Sequence, residues 1–226
     1  MMRTLRHGWK AAATGLATIA VAAVAYSNLP SANAEQTSGQ TATAVGGTAL
    51  SRAKHLVTVA EVKQADPKTP WSVQIDKGLL QPTYCGVYST EGKYVAARLA
   101  RAYTDDLASY GRQHVTSYRT QAAAKAAYYS IVRNVLSCTA SKPAPTHARK
   151  ITENRVVKGA AGPTRVIRWY DYPLPNDPGS EAGGFPYAIT LRGTTVSVLA
   201  FSGYGPGMPA PSFDRLARTA AAKLPS

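Results

Sequence analysis

Cysteine is nearly absent: the 226 residues hold two, Cys85 and Cys138. They do not form C-x-x-C, which removes a thioredoxin-like redox pair, and no His/Cys spacing matches a zinc site, so no metal and no cofactor is expected. Acidic residues are scarce as well, 12 Asp and Glu against 26 Lys and Arg, for a net charge of +14. The cations are dispersed, without a Lys/Arg-rich pentamer of the kind that marks a dense polyanion patch. The most apolar run, Ala11–Tyr26, is diluted by Ala, Thr and Gly. At about 16 residues it falls short of the roughly 20 that a bilayer span needs. No Ser stands in G-x-S-x-G, and there is no internal repeat.

What the N-terminus does contain is an export pattern. Arg3, Arg6 and Lys10 precede the small apolar run, and Ala32-Asn33-Ala34 forms an A-x-A site before Glu35. Residues 1–34 are therefore expected to be a secretory signal peptide, cleaved after Ala34. A twin-Arg pair is missing, which favours the general secretory route, and no cysteine stands at the junction for lipid attachment. The mature chain would carry 23 Lys and Arg against 12 Asp and Glu. Residues 35–49, rich in Gly, Ser, Thr, Gln and Ala, read as a flexible leader, and 50–226 as a single domain.

Thr120–Cys138 organises that domain. Thr120 is a good N-cap type, and the Ala-rich run after it favours helix. Ala124, Ala127, Tyr128, Ile131, Val135 and Cys138 fall on one stripe, while Lys125, Tyr129 and Arg133 face solvent. Ser141, Pro143 and Pro145 stop the helix. Export and an even cysteine count predict a Cys85–Cys138 disulfide; two free buried thiols are the alternative.

Along the chain, Leu50–Ala65 is a short helical segment with a capping box at Thr58 and Glu61. Asp66–Pro70 is a loop, and Trp71, Val73 and Ile75 alternate as an edge strand. Tyr84–Tyr88 is short and extended. Lys93–Tyr103 suits helix or strand, with a strand over Ala97–Thr104 after a turn at Glu91-Gly92 the preferred reading. Ser109–Arg119 is a clearer strand. Lys150–Val157, Arg165–Tyr172, Phe185–Leu191 and Val196–Phe201 form a meander, turning at Arg192-Gly193. Ser212 is read as the cap of a closing helix whose Phe213, Leu216, Ala217, Ala220 and Leu224 share a stripe. The class predicted is α+β: an antiparallel sheet, two main helices packed on one face and one disulfide.

This order of Leu56–Val62, Cys85, the Ala-rich helix ending at Cys138, Val166-Ile167-Arg168-Trp169, the Leu191-Arg192-Gly193 hairpin and an Ala-rich last helix resembles the PknH-like extracellular sensor domain of actinobacteria. The resemblance spans roughly Leu50–Leu224. It implies an antiparallel sheet with packed helices, a cleft for an unidentified ligand, and no catalysis. Members commonly carry two disulfides, and only one is possible here. The family supplies no ligand residues to carry over.

Catalytic constellations are weak. The mature histidines are His55, His114 and His147, and Asp105-Asp106 near His114 is the least poor basis for a hydrolase, the alternative function. Neighbouring residues point to opposite faces of a strand, so a solvated turn is the better reading of the Asp pair. Gly203–Gly207 lacks the Lys-Ser/Thr ending of a phosphate loop. Basic and aromatic residues mix more suggestively. Arg112, His114 and Tyr118 share a strand face with Tyr110, and Arg165, Arg168, Tyr170 and Arg192 crowd the C-terminal strands. Arg168, Tyr170, Tyr187 and Arg192 are the expected ligand-binding residues, Arg and Tyr together suiting phosphate or carboxylate. The expected protein is a secreted, monomeric, non-enzymatic binding domain at the cell envelope, for an anionic or amphipathic ligand. Nucleic acid fits by charge alone, but wall polymers and lipid headgroups are more accessible outside a cell. A partner-binding protein without a cleft is the third possibility.

Overall fold

The computed structural model describes residues 53–76, 85, 94–138, 147–177, 179 and 181–226. The expected signal peptide and leader, residues 139–146, the expected turn at Glu91-Gly92 and, apart from Cys85, the expected extended stretch Tyr84–Tyr88 lie outside the described residues. A 3-10 turn, Ala53–His55, leads into α1 (Val59–Ala65). Then come β1 (Ser72–Asp76), β2 (Val95–Thr104), β3 (Tyr110–Tyr118) and α2 (Gln121–Leu136). The second half is β4 (His147–Val156), β5 (Thr164–Pro173), β6 (Gly183–Arg192), β7 (Thr195–Tyr204) and α3 (Ala210–Ala222). The seven strands make one antiparallel sheet in the order β1-β2-β3-β7-β6-β5-β4. The fold is α+β.

Local chemistry sets most boundaries. At α1 the Thr58 hydroxyl accepts from the Glu61 N–H while the Glu61 carboxylate accepts from the Thr58 N–H, a complete capping box. At α2 the Thr120 hydroxyl accepts from the Ala123 N–H at 3.1 Å. Thr120→Ala is expected to cost about 1 kcal/mol, read from the urea midpoint, because it leaves that amide without its cap. The preferred strand reading of the ambiguous stretch is what the fold adopts, as β2. Ser212 does not cap α3. The helix begins three residues after Gly207, with Pro209 as N-cap and no side-chain cap, since Pro211 supplies a pre-set φ inside the first turn.

The two main helices lie on opposite faces of the sheet, not on one. Strand residues alternate sides. On β6, Ala188 packs with Phe213 and Leu216 of α3, whereas Tyr187 and Ile189 pack with Tyr128 and Ile131 of α2. Val166 and Ile167 divide in the same way on β5, as do Leu199 and Val198 on β7. Three central strands are therefore buried on both sides. The near-continuous apolar run Val196–Phe201 carried that signal, because a strand with one wet face alternates. The chain leaves β3 through α2, which crosses one face to reach the far edge at β4. It leaves β7 in the middle of the sheet and turns to the other face as α3.

Cys85 and Cys138 form a disulfide, with Cα atoms 5.3 Å apart and both residues in the α2-side cluster. No helix among the described residues is long and apolar enough to cross a membrane.

Candidate ligand groove

α2 ends short of one edge of its face. Trp169 marks the limit, its indole N–H donating to the Val135 carbonyl in the last turn at 2.8 Å. Beyond it the antiparallel register brings strand ends together: Tyr110 lies opposite Ser202, Tyr204 opposite Gly183, Gly183 opposite Asp171, and Asp171 opposite Arg149. These residues share the α2 face. They form an open groove of about 410 Å³ lined by Tyr110, Phe185, Tyr204, Asp171, His147 and Glu181, with Ala108, Ala182, Gly183, Ser202 and Gly203 filling between. A smaller cavity of about 110 Å³ continues inward past Tyr110, Phe185 and Ser202 to Arg112, Tyr187, Ala200 and Phe201.

The aromatic residues at the mouth are unusually accessible, Tyr110 at 42% and Tyr204 at 63%. Leu107, on the neighbouring hairpin tip, is 80% exposed. That tip is held rigidly. One Asp105 carboxylate oxygen accepts the N–H groups of Leu107, Ala108 and Ser109 at 2.8–2.9 Å, and Asp106 takes a positive φ of 62°. Burial raises the Asp105 pKa, but these N–H groups outweigh it, and the carboxyl titrates below its ordinary range.

The far wall is built from the other side of the sheet. After Tyr204 the chain turns at Gly205 and Gly207, both at positive φ. The Gly205 N–H donates to Ala182 O at 2.8 Å. Arg168, on the α3 face, donates from Nη1 to Pro206 O and Met208 O at 3.1 and 2.9 Å, and from Nε to Glu153 at 2.6 Å. Gly184 lies under this loop. A Cβ there would sit 2.2 Å from Pro206 O, so Gly184→Ala is expected to displace the loop, with Tyr204 amide shifts as the readout. Asp171 is clamped by Arg149, whose Nη2 lies 2.8 Å from Oδ2.

The four expected ligand residues do not converge. Tyr187 is buried beside the inner cavity. Arg168 and Tyr170 are on the opposite face, where Tyr170 stacks on Tyr172 with centroids 6.2 Å apart. Arg192 donates to Ala221 O and Ala222 O at the C-terminus of α3. Tyr110 and Arg112, paired on sequence grounds by strand alternation, do line the continuous cavity. Phe185, Tyr204, Asp171 and Glu181 were not singled out, since only the sheet order brings β4–β7 ends beside β3.

The hydrolase constellation is not assembled. Thr104, next to Asp105, pairs with Tyr110. His114 lies four residues further along β3, roughly 13 Å at about 3.3 Å per residue. Burial, with Arg112 and Arg98 adding repulsion, lowers the His114 pKa to about 3. The folded protein then refuses a proton that the unfolded chain takes up below its ordinary value of 6.5, so stability falls as pH drops from there toward 3. Between pH 7.5 and 5 this group should cost about 2 kcal/mol, at about 1.4 kcal/mol per pH unit. Urea titrations should show that loss, and His114→Gln should flatten it.

No family model and no curated protein matches the sequence. Among solved structures, the extracellular domain of PknH from Mycobacterium tuberculosis superposes with a TM-score of 0.54 at 12% identity, covering 75% of this chain and 92% of that one. At that identity the likeness is one of fold, and in fold this chain is similar to the extracellular domain of PknH.

Proposed function

We propose that this chain is an exported, non-enzymatic binding protein of sensor type, which holds an amphipathic ligand in the groove at the open end of the sheet. The observation that carries the reading is the aromatic mouth, where exposed Tyr110 and Tyr204 flank half-buried Phe185, continuous with an inner cavity. Water-accessible rings on rigid strand ends offer apolar area without an ordering cost. The disulfide suits an oxidising exterior, and the fold likeness is to an extracellular domain. The basic surface fits residence near anionic envelope polymers.

Octyl glucoside, below its micelle concentration, should shift the amide resonances of Tyr110, Phe185 and Tyr204 saturably. Tyr204→Ala is expected to weaken that binding about tenfold, because roughly 55 Å² of lost apolar contact is worth about 1.4 kcal/mol at about 25 cal/mol per Å². Shifts scattered over the surface, or none, would exclude the groove as the site.

A further inference from the structure

The groove departs from the charge of the chain that forms it. The protein has 26 Lys and Arg against 12 Asp and Glu, yet among the described residues lining the groove there is no Lys or Arg. Two carboxylates, Asp171 and Glu181, stand in that lining beside Tyr110, Phe185 and Tyr204. Asp171 is offset by Arg149, held in a bidentate pair. Glu181 is exposed at the mouth, and Asp105 and Asp106 occupy the hairpin tip next to Ala108. Arg149 stands behind Asp171 with its charge taken up by that carboxylate, His147 lines the mouth, and Arg112 lines only the inner cavity. Ring faces carry negative charge density and attract ammonium groups, more so where carboxylates stand nearby.

We infer that the groove selects organic cations: the apolar body of the ligand lies on Tyr110, Phe185 and Tyr204, and its ammonium group sits at the mouth beside Glu181. This rests on the binding role proposed above and gives its ligand a charge. It also reverses the anionic preference expected from overall composition, because ligand selection depends on the few groups within screening distance.

Three probes sharing an octyl chain test it on the mature protein: octyltrimethylammonium, octyl glucoside and octyl sulfate, each below its micelle concentration. Binding is read from amide shifts at Tyr110, Phe185 and Tyr204, so that sulfate gathered elsewhere on the basic surface does not register. The ammonium probe is expected to bind about tenfold more tightly than the sulfate, the size of one modest charge-dependent contact. Glu181→Lys should reverse that preference, bringing the ammonium probe's affinity to or below that of the sulfate, and an ammonium preference that survives in Glu181→Lys would overturn the assignment. Equal binding of all three would overturn the charge selection while leaving the groove as a binding site. Tighter sulfate binding that is lost in Arg112→Gln would overturn it in favour of an anionic ligand. Failure of all three to bind would remove both the selection and the binding role.

Discussion

Replacing Cys85 and Cys138 together with alanine should lower the unfolding free energy by roughly 4 kcal/mol, the chain-entropy value for closing a loop of about 50 residues. The two sulfurs join positions 53 residues apart. Both cysteines are also buried, at 5% and 8% exposure, within the cluster that holds α2 to the sheet. Without the bond, the unfolded chain regains its freedom and Cys138 no longer ties the end of α2 to Cys85. Urea unfolding of the oxidised protein, the reduced protein and the double variant would measure it. Reduction should bring the wild type close to the variant and leave the variant unmoved. A loss below about 1 kcal/mol would mean that the cross-link hardly restricts the unfolded ensemble.

Arg168→Met should cost about 3 kcal/mol and loosen the groove wall on the other side of the sheet. Removing one member of a buried, hydrogen-bonded charge pair costs about 3–5 kcal/mol. The low end applies because Glu153 keeps Arg155, which also bridges to Asp214 at 2.8 Å. The carbonyls of Pro206 and Met208 would lose their guanidinium donor. Met retains most of the length over the Phe213 ring, now 5.9 Å from the guanidinium carbon, so cavity formation contributes little. The distinguishing readout is Tyr204, two residues before Pro206: its amide should shift and its probe affinity fall, although Arg168 touches no ligand. An unchanged Tyr204 in a destabilised variant would reduce Arg168 to a purely structural role.

Arg168 illustrates how far residue identity carries. An Arg among β-branched and aromatic residues reads as a ligand contact or a buried ion pair, and the choice depends on Glu153, 15 positions away in sequence. Arg192 is similar, since its partners are the last carbonyls of α3. Tyr110 and Arg112 were legible because strand alternation is local. Glu181 was not: it sits in a Pro/Gly/Asp loop whose composition announces only a turn.

By itself the sequence determined the α+β class, most strands and helices, the caps of α1 and α2, and the pairing of the two cysteines. These follow from spacing, propensity and counting over short distances. Only the tertiary structure decided that α2 and α3 cover opposite faces, and that the ends of five strands meet in an aromatic groove without Lys or Arg among its described lining. The physical reason is that β3 pairs with β7 across 77 or more residues of intervening chain, from Tyr118 to Thr194 between the paired Ser117 and Thr195. A pairing that distant depends on how both faces of the sheet are buried at once, which no local window contains.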